Sequence, residues 1–204
     1  MFMKSYILTA LLVLMFGFGL VNAETPSATI IRSAPADGSV YPVNPLRRHG
    51  GVRTVTLYMN TLQGVRNASD FLVKTSAGEI IPIQRIQPIS FPGVNMVVLL
   101  FENDRALPHG ERTRITHLPS QSSVCLGVLA GDVDGNGLMT SADASKILGV
   151  IEGRLDRTAL GLIADLNGDF TETMADYETF NDIFTGRNGQ ANPPLRRLPA
   201  CPAI

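Results

Sequence analysis

The sequence predicts a two-domain chain, an N-terminal all-β sandwich followed by a C-terminal all-α pair of loop–helix motifs. Three observations carry this. The apolar period changes from two to about 3.6 near residue 128. Before that point, short β-type runs are separated by Pro, Gly, Asn and Asp. After it, a repeat with an offset of 33 residues places an acidic loop ahead of each of two amphipathic segments.

Residues 1–23, MFMKSYILTALLVLMFGFGLVNA, carry an early Lys4, an apolar run from Ile7 to Val21, and small residues Val21 and Ala23 at a cleavage-like position. This is the pattern of a signal peptide. The chain is therefore expected to begin at Glu24 after processing and to be secreted or held at the cell surface, with the periplasm as the alternative compartment. No later segment is apolar enough to span a bilayer, so no membrane span is expected in the mature chain. Export places Cys125 and Cys201 where disulfides form and persist. A formal net charge of −1 leaves no electrostatic footprint for nucleic acid.

Within 27–128, RTVTLYM (53–59) alternates, with Val55, Leu57 and Met59 on one face. FLVK (71–74) is a short strand, and GEIIPIQRI (78–86) contains a Pro that suits an edge strand. VNMVVLLF (94–101) is almost continuously apolar and reads as a central buried strand; ERTRITHL (111–118) alternates again. SSVCLGVLAG reads as strand and turn. The stretches SAPADGSVYPV, VTLYMNTLQGVRNASDFLV and VVLLFENDRALPHGERTRITHL resemble bacterial Ig-like modules of secreted proteins, which implies an Ig-like sandwich over about 100 residues.

After residue 128, SADASKILGVIEGR places Ala144, Ile147, Leu148 and Ile151 at helical spacing. TALGLIADL carries Leu160 and Ile163, read as a connecting helix. MADYETFNDIF sets Tyr177, Phe180, Ile183 and Phe184 on one stripe. The loops ahead of the first and last of these are DVDGNGLMTSAD, from Asp132, and DLNGDFTETMAD, from Asp165.

Crowded carboxylates repel one another unless a cation sits among them. An oxygen cage for Ca²⁺ takes six to eight ligands at roughly 2.4 Å, and a 12-residue EF-hand loop draws them from positions 1, 3, 5, 7 (a backbone carbonyl), 9 and 12. The first loop fills these slots with Asp132, Asp134, Asn136, the Leu138 carbonyl, Thr140 and Asp143, with Gly137 at the sharp turn of position 6. The second fills them with Asp165, Asn167, Asp169, the Thr171 carbonyl, Thr173 and Asp176. Phe170 replaces Gly at its position 6, so a weaker second site is expected. Asp and Asn also favour turns and N-caps without any metal. Two loops in one register, each leading into a helix, favour a pair of Ca²⁺ sites over that alternative. Mg²⁺ is disfavoured because it demands a tight octahedron and retains its waters.

Loop–helix pairs with Asp at position 12 and no entering helix resemble dockerin modules, and residues 129–188 match that pattern along their length. The resemblance implies two bound calcium ions and docking onto a cohesin-like domain. The docking face would include Ser141, Ala142 and Lys146 on one half and Met174, Ala175 and Glu178 on the other. The halves differ, which implies one preferred orientation. The termini of such modules lie close together, which implies a bridge between Cys125 and Cys201; the composition of 189–204 reads as a Pro-rich tail.

Other constellations offer little catalytic chemistry. His49, His109 and His117 are far apart, and Glu79, Glu102 and Glu111 read as a solvated face. No nucleophile motif or phosphate loop occurs, so no enzyme is expected. Arg47, Arg48 and Arg53 read as a solvated loop, and Asn67-Ala68-Ser69 fits a glycosylation sequon. The sequence thus points to an exported, non-catalytic interaction protein. Its rivals are a cell-surface protein that uses Ca²⁺ only to fold, and a carbohydrate-binding β module whose Tyr41 and Tyr58 stack on sugar.

Overall fold

The structure is a computed structural model that describes residues 27–41, 52–102, 107–156, 164–167, 169, 171–187 and 197–203. The expected leader, Arg47, Arg48, His49, the segment with Leu160 and Ile163 expected to form a connecting helix, Phe170, and most of the Pro-rich tail lie outside the described residues.

Eight strands come first: β1 (Ile30–Ala34), β2 (Val40–Tyr41), β3 (Thr54–Met59), β4 (Phe71–Thr75), β5 (Ile83–Phe91), β6 (Val94–Phe101), β7 (Glu111–His117) and β8 (Ser122–Val128). They form two four-stranded sheets, in the orders β1-β3-β6-β5 and β2-β8-β7-β4. Every pairing is antiparallel except the short parallel contact of β2 with β8. One core lies between the sheets. Val55, Leu57 and Met59 of β3 meet Val97, Leu99 and Phe101 of β6, and Ile115 and Leu126 enter from the opposite sheet. All eight side chains are buried because period-two alternation turns them to the same side of their sheets. The near-continuous apolar run of β6 reflects its central place, yet only alternate residues are fully buried and those between them are half-buried.

The expected strand over 78–86 is divided. Residues Glu79 and Ile81 bond back to β4, with the Thr75 amide donating to the Glu79 carbonyl and the Ile81 amide donating to the Val73 carbonyl. Pro82 has no N–H to continue that ladder, and the chain crosses to the other sheet, where β5 starts at Ile83. β5 is an edge strand, and it tolerates Pro88 for the same reason.

The C-terminal part corrects the fold class expected from the sequence. It is not a self-contained all-α domain. The described residues after β8 hold two helices, α1 (Ser141–Ile151) and α2 (Met174–Thr185), set among irregular loops in a molecule that is mostly sheet. Two short helices cannot enclose a core alone, and this core is built jointly. Ile147 of α1 and Phe180 and Ile183 of α2 pack with Leu129, Val133 and Met139 from the loop, with Val40 of β2, and with Leu198 from the chain end. Helical spacing reports which face of a segment is apolar; it does not report what covers that face, and here sheet residues supply part of the cover.

The chain end is a strap across both units. The Leu198 amide donates to the Gly137 carbonyl at 3.0 Å, and Arg197 pairs with Leu138 in a one-residue bridge. The Leu198 side chain lies so close to Gly127 that a Cβ there would sit 2.5 Å from Leu198 Cδ1. The Arg114 Nε–H donates to the Pro202 carbonyl at 2.6 Å, and Cys201 is bonded to Cys125 of β8, their Cα atoms 6.2 Å apart.

Candidate metal centre

The first acidic loop leaves β8, turns through Gly131, and ends at the N-terminus of α1. Its backbone N–H groups fold around its own carboxylates. The Asn136 and Gly137 amides donate to the two oxygens of Asp132, at 3.1 and 2.7 Å. The Val133 amide donates to Asp143 Oδ1 at 3.0 Å, and the Thr140 amide donates to Asp143 Oδ2 at 2.8 Å. The Leu138 amide donates to Asn136 Oδ1 at 2.8 Å. Gly137 carries a φ of +82°, a left-handed conformation that a side chain rarely adopts, so glycine is the residue that lets the loop reverse here.

This folding draws Asp132, Asp134 and Asp143 together, with one carboxylate oxygen from each within 4.8 Å of the others. Asp132 and Asp143 are fully buried and Asp134 is exposed. The Lys146 ammonium contacts Asp134 at 2.8 Å. Three carboxylates against one ammonium leave two negative charges in a small volume. Burial, helped by the neighbouring Asp134 and Asp143 carboxylates, pushes the Asp132 carboxyl up to about 6 against the opposing bonds from Gly137 and Asn136. Asp134 moves the other way because the Lys146 ammonium favours its charged form. The group is hard oxygen throughout, it is short of positive charge, and it fits a divalent cation.

The second loop repeats the frame. The Asn167 amide donates to Asp176 Oδ1 at 3.0 Å and the Thr173 amide to Asp176 Oδ2 at 2.8 Å, as the corresponding Asp134 and Thr140 amides donate to Asp143. Asp176 is likewise fully buried. The rest differs. Asn167 Nδ2 donates to Asp169 Oδ2, and Asp169 Oδ1 accepts from both the amide and the hydroxyl of Thr171. Among the described residues, Asp165, Asp169 and Asp176 are not brought into one cluster of the kind seen in the first loop.

Positions 9 and 12 of each loop also start the following helix. Thr140 caps α1 and Thr173 caps α2, their hydroxyls accepting from the Ala142 and Ala175 amides. Asp143 and Asp176 close both capping boxes by accepting from the cap residue's amide. In the first loop one aspartate thus belongs to the carboxylate cluster and to the helix start, a dual use that the spacing alone does not display.

The expected docking residues lie on the two helix starts. Ser141, Ala142, Met174, Ala175 and Glu178 are exposed, and Met174 is an exposed large apolar side chain. Lys146 is half-buried and engaged with Asp134. The histidines are local structural groups: His117 is buried, with Nδ1 2.8 Å from the Ser120 hydroxyl, and His109 Nδ1 accepts from the Ala130 amide at 3.1 Å. Glu111 is no merely solvated acid, since it accepts from the Ala77 amide at 3.0 Å and closes the turn after β4. Asn67 caps a single 3-10 turn and accepts from the Ser69 amide and hydroxyl. The Arg32 guanidinium lies 3.8 Å from the ring centre of Tyr58, covering a face that a sugar would need. Tyr41's side chain lies outside what is described.

Sequence reading missed Lys146 as the internal counter-charge of Asp134, although their separation of 12 residues offers no local signal. No protein-family model matches the chain, and no curated protein or solved structure matches it.

Proposed function

We propose that this chain is an exported, non-catalytic interaction protein whose two acidic loops bind Ca²⁺ and whose exposed helix starts dock onto a cohesin-like domain of another protein. The observation that carries the metal reading is the convergence of Asp132, Asp134 and Asp143, two of them buried, with too little positive charge nearby. Asn136, the Leu138 carbonyl and Thr140 would complete the first cage, and the second loop would form the other site. Calcium supplies the missing positive charge and holds the buried carboxylates ionised. The docking reading is supported by the resemblance of the two loop–helix units to dockerins and by the exposure of Ser141, Ala142, Met174 and Ala175 beside the loops.

Calorimetric titration of the full chain with CaCl₂, with MgCl₂ as control, tests the metal. Binding is expected for Ca²⁺ and is expected to lose its tighter phase in Asp143→Ala; an unchanged titration in that variant overturns the reading. Surface capture of purified cohesin-like domains, with and without chelator, tests the partner. Calcium binding without capture would assign the loops a folding role only.

A further inference from the structure

A cleft of about 730 Å³ opens between the start of β7, the first acidic loop and the C-terminal strap. Arg112 reaches it from β7 and Arg197 from the strap. Both arginines flank one dipeptide of the loop. Arg112 Nη2 lies 3.3 Å from where a Cβ on Gly137 would be, and Arg197 pairs through its backbone with Leu138. Neither guanidinium meets a carboxylate among the described residues. Arg112 makes one long bond, 3.5 Å to the Gly38 carbonyl. Arg197 is exposed on the strap.

The side chains lining the cleft include no acid. Its polar groups are two guanidinium forks and the Asn136 amide, whose oxygen already accepts from the Leu138 amide, leaving its NH₂ as a donor. Polar side chains that offer donors favour a ligand that accepts, and two forks match the paired oxygens of carboxylates. The remaining wall is apolar: Leu138, which is exposed, with Leu198 and Pro199. The volume exceeds what one small anion fills and falls in the range of pockets that hold a compact organic ligand.

We propose that this cleft binds an acidic peptide segment, with one carboxylate on each arginine and a neighbouring apolar side chain against Leu138 and Pro199. The site adjoins the acidic cage, with which it shares Asn136 and Leu138, but needs no metal for its recognition chemistry. It is also distinct from the helix-start face, so a protein docked there could present such a segment, but the assignment stands on the cleft alone.

The probe is N-acetyl-Leu-Glu, which offers a side-chain and a terminal carboxylate beside a leucine. It is titrated into the ¹⁵N-labelled full chain in calcium-containing buffer. Saturable shifts are expected at the Gly137 and Leu138 amides and at the Arg112 Nε–H. N-acetyl-Leu-Gln-amide, of the same shape without charge, is expected to produce none. Arg197→Gln tests the cleft with little load on the fold, since its side chain is exposed. It and Arg112→Gln are each expected to weaken binding about ten-fold or more, the usual loss for a charge-assisted bond. Equal binding of the neutral peptide, unchanged binding in the Arg112→Gln/Arg197→Gln double variant, or no saturable shift at millimolar peptide overturns the proposal. Tighter binding of galacturonate or inorganic sulfate at the same amides overturns the peptide assignment.

Discussion

Asp132 shows how one side chain links the loop's chemistry to its stability. Its carboxyl is buried and pushed up to about 6 from an ordinary 3.8, so the folded state holds a proton that the unfolded state releases in that window. A raised carboxyl stabilises the fold fully below its unfolded value and loses that contribution as pH rises through its folded value. In chelator, wild-type stability relative to Asp132→Asn should therefore fall between about pH 4 and pH 6 and be flat above. Denaturant unfolding of the pair across that range checks it, and a difference independent of pH would contradict the burial argument. Calcium should remove the slope, because the metal holds the carboxylate ionised. Lys146 belongs to the same scale. Its ammonium occupies Asp134, a carboxylate that a bound cation also needs. Lys146→Met should tighten Ca²⁺ binding by about two- to five-fold, the size expected of a partly exposed ion pair, and the gain should shrink at high salt. Weaker binding in Lys146→Met would mean that the lysine positions Asp134 instead of competing for it.

At the level of elements, the strap is the feature that ties the loop to the sheets. It bonds Gly137 through Leu198, covers Gly127, and is anchored to β8 by the bond between Cys125 and Cys201. The disulfide closes a sequence separation of 76 residues, which in the chain-entropy account stabilises by about 4 kcal/mol. Cys201→Ser should lower stability by a large part of that amount. It should also weaken calcium binding at the first loop, whose position-6 carbonyl the strap holds, and leave the second loop's binding intact. Calorimetry of the variant beside wild type separates these effects. Equal loss at both loops would show that the strap acts only through global stability. The helix starts need no such help, since Thr140 and Thr173 build complete capping boxes within their own segments.

The whole molecule has two cores of different character. The inter-sheet core closes on itself with buried side chains from both sheets. The second core depends on two short helices, on Val40 and Leu198 from elsewhere, and on a first loop that gathers three carboxylates, two of them buried. A ligand that binds only the folded state stabilises it by mass action, so calcium should act mainly on the second core. In chelator the helical circular-dichroism signal is expected to melt at a lower temperature than the sheet signal, producing two thermal transitions where calcium gives one. A single transition unmoved by chelator would argue that the shared residues Val40 and Leu198 make the cores one cooperative unit without metal.

Much of this was legible in the residues. Alternation in RTVTLYM sets Val55, Leu57 and Met59 inward, and the Asp–Asn spacing of the first loop folds its carboxylates together, because both follow from backbone geometry over a few residues. Gly137 was identifiable as the turning residue on the same local grounds. The sheet change at Pro82, the parallel pairing of β2 with β8, the mixed second core and the meeting of Arg112 with Arg197 were not legible. Each joins segments distant in sequence, and periodicity reports which face is apolar without reporting its cover. That is also why the expected all-α domain fails: helical spacing marks the apolar stripes, whereas packing and hydrogen bonding bring a strand and a strap that are distant in sequence against the same loop.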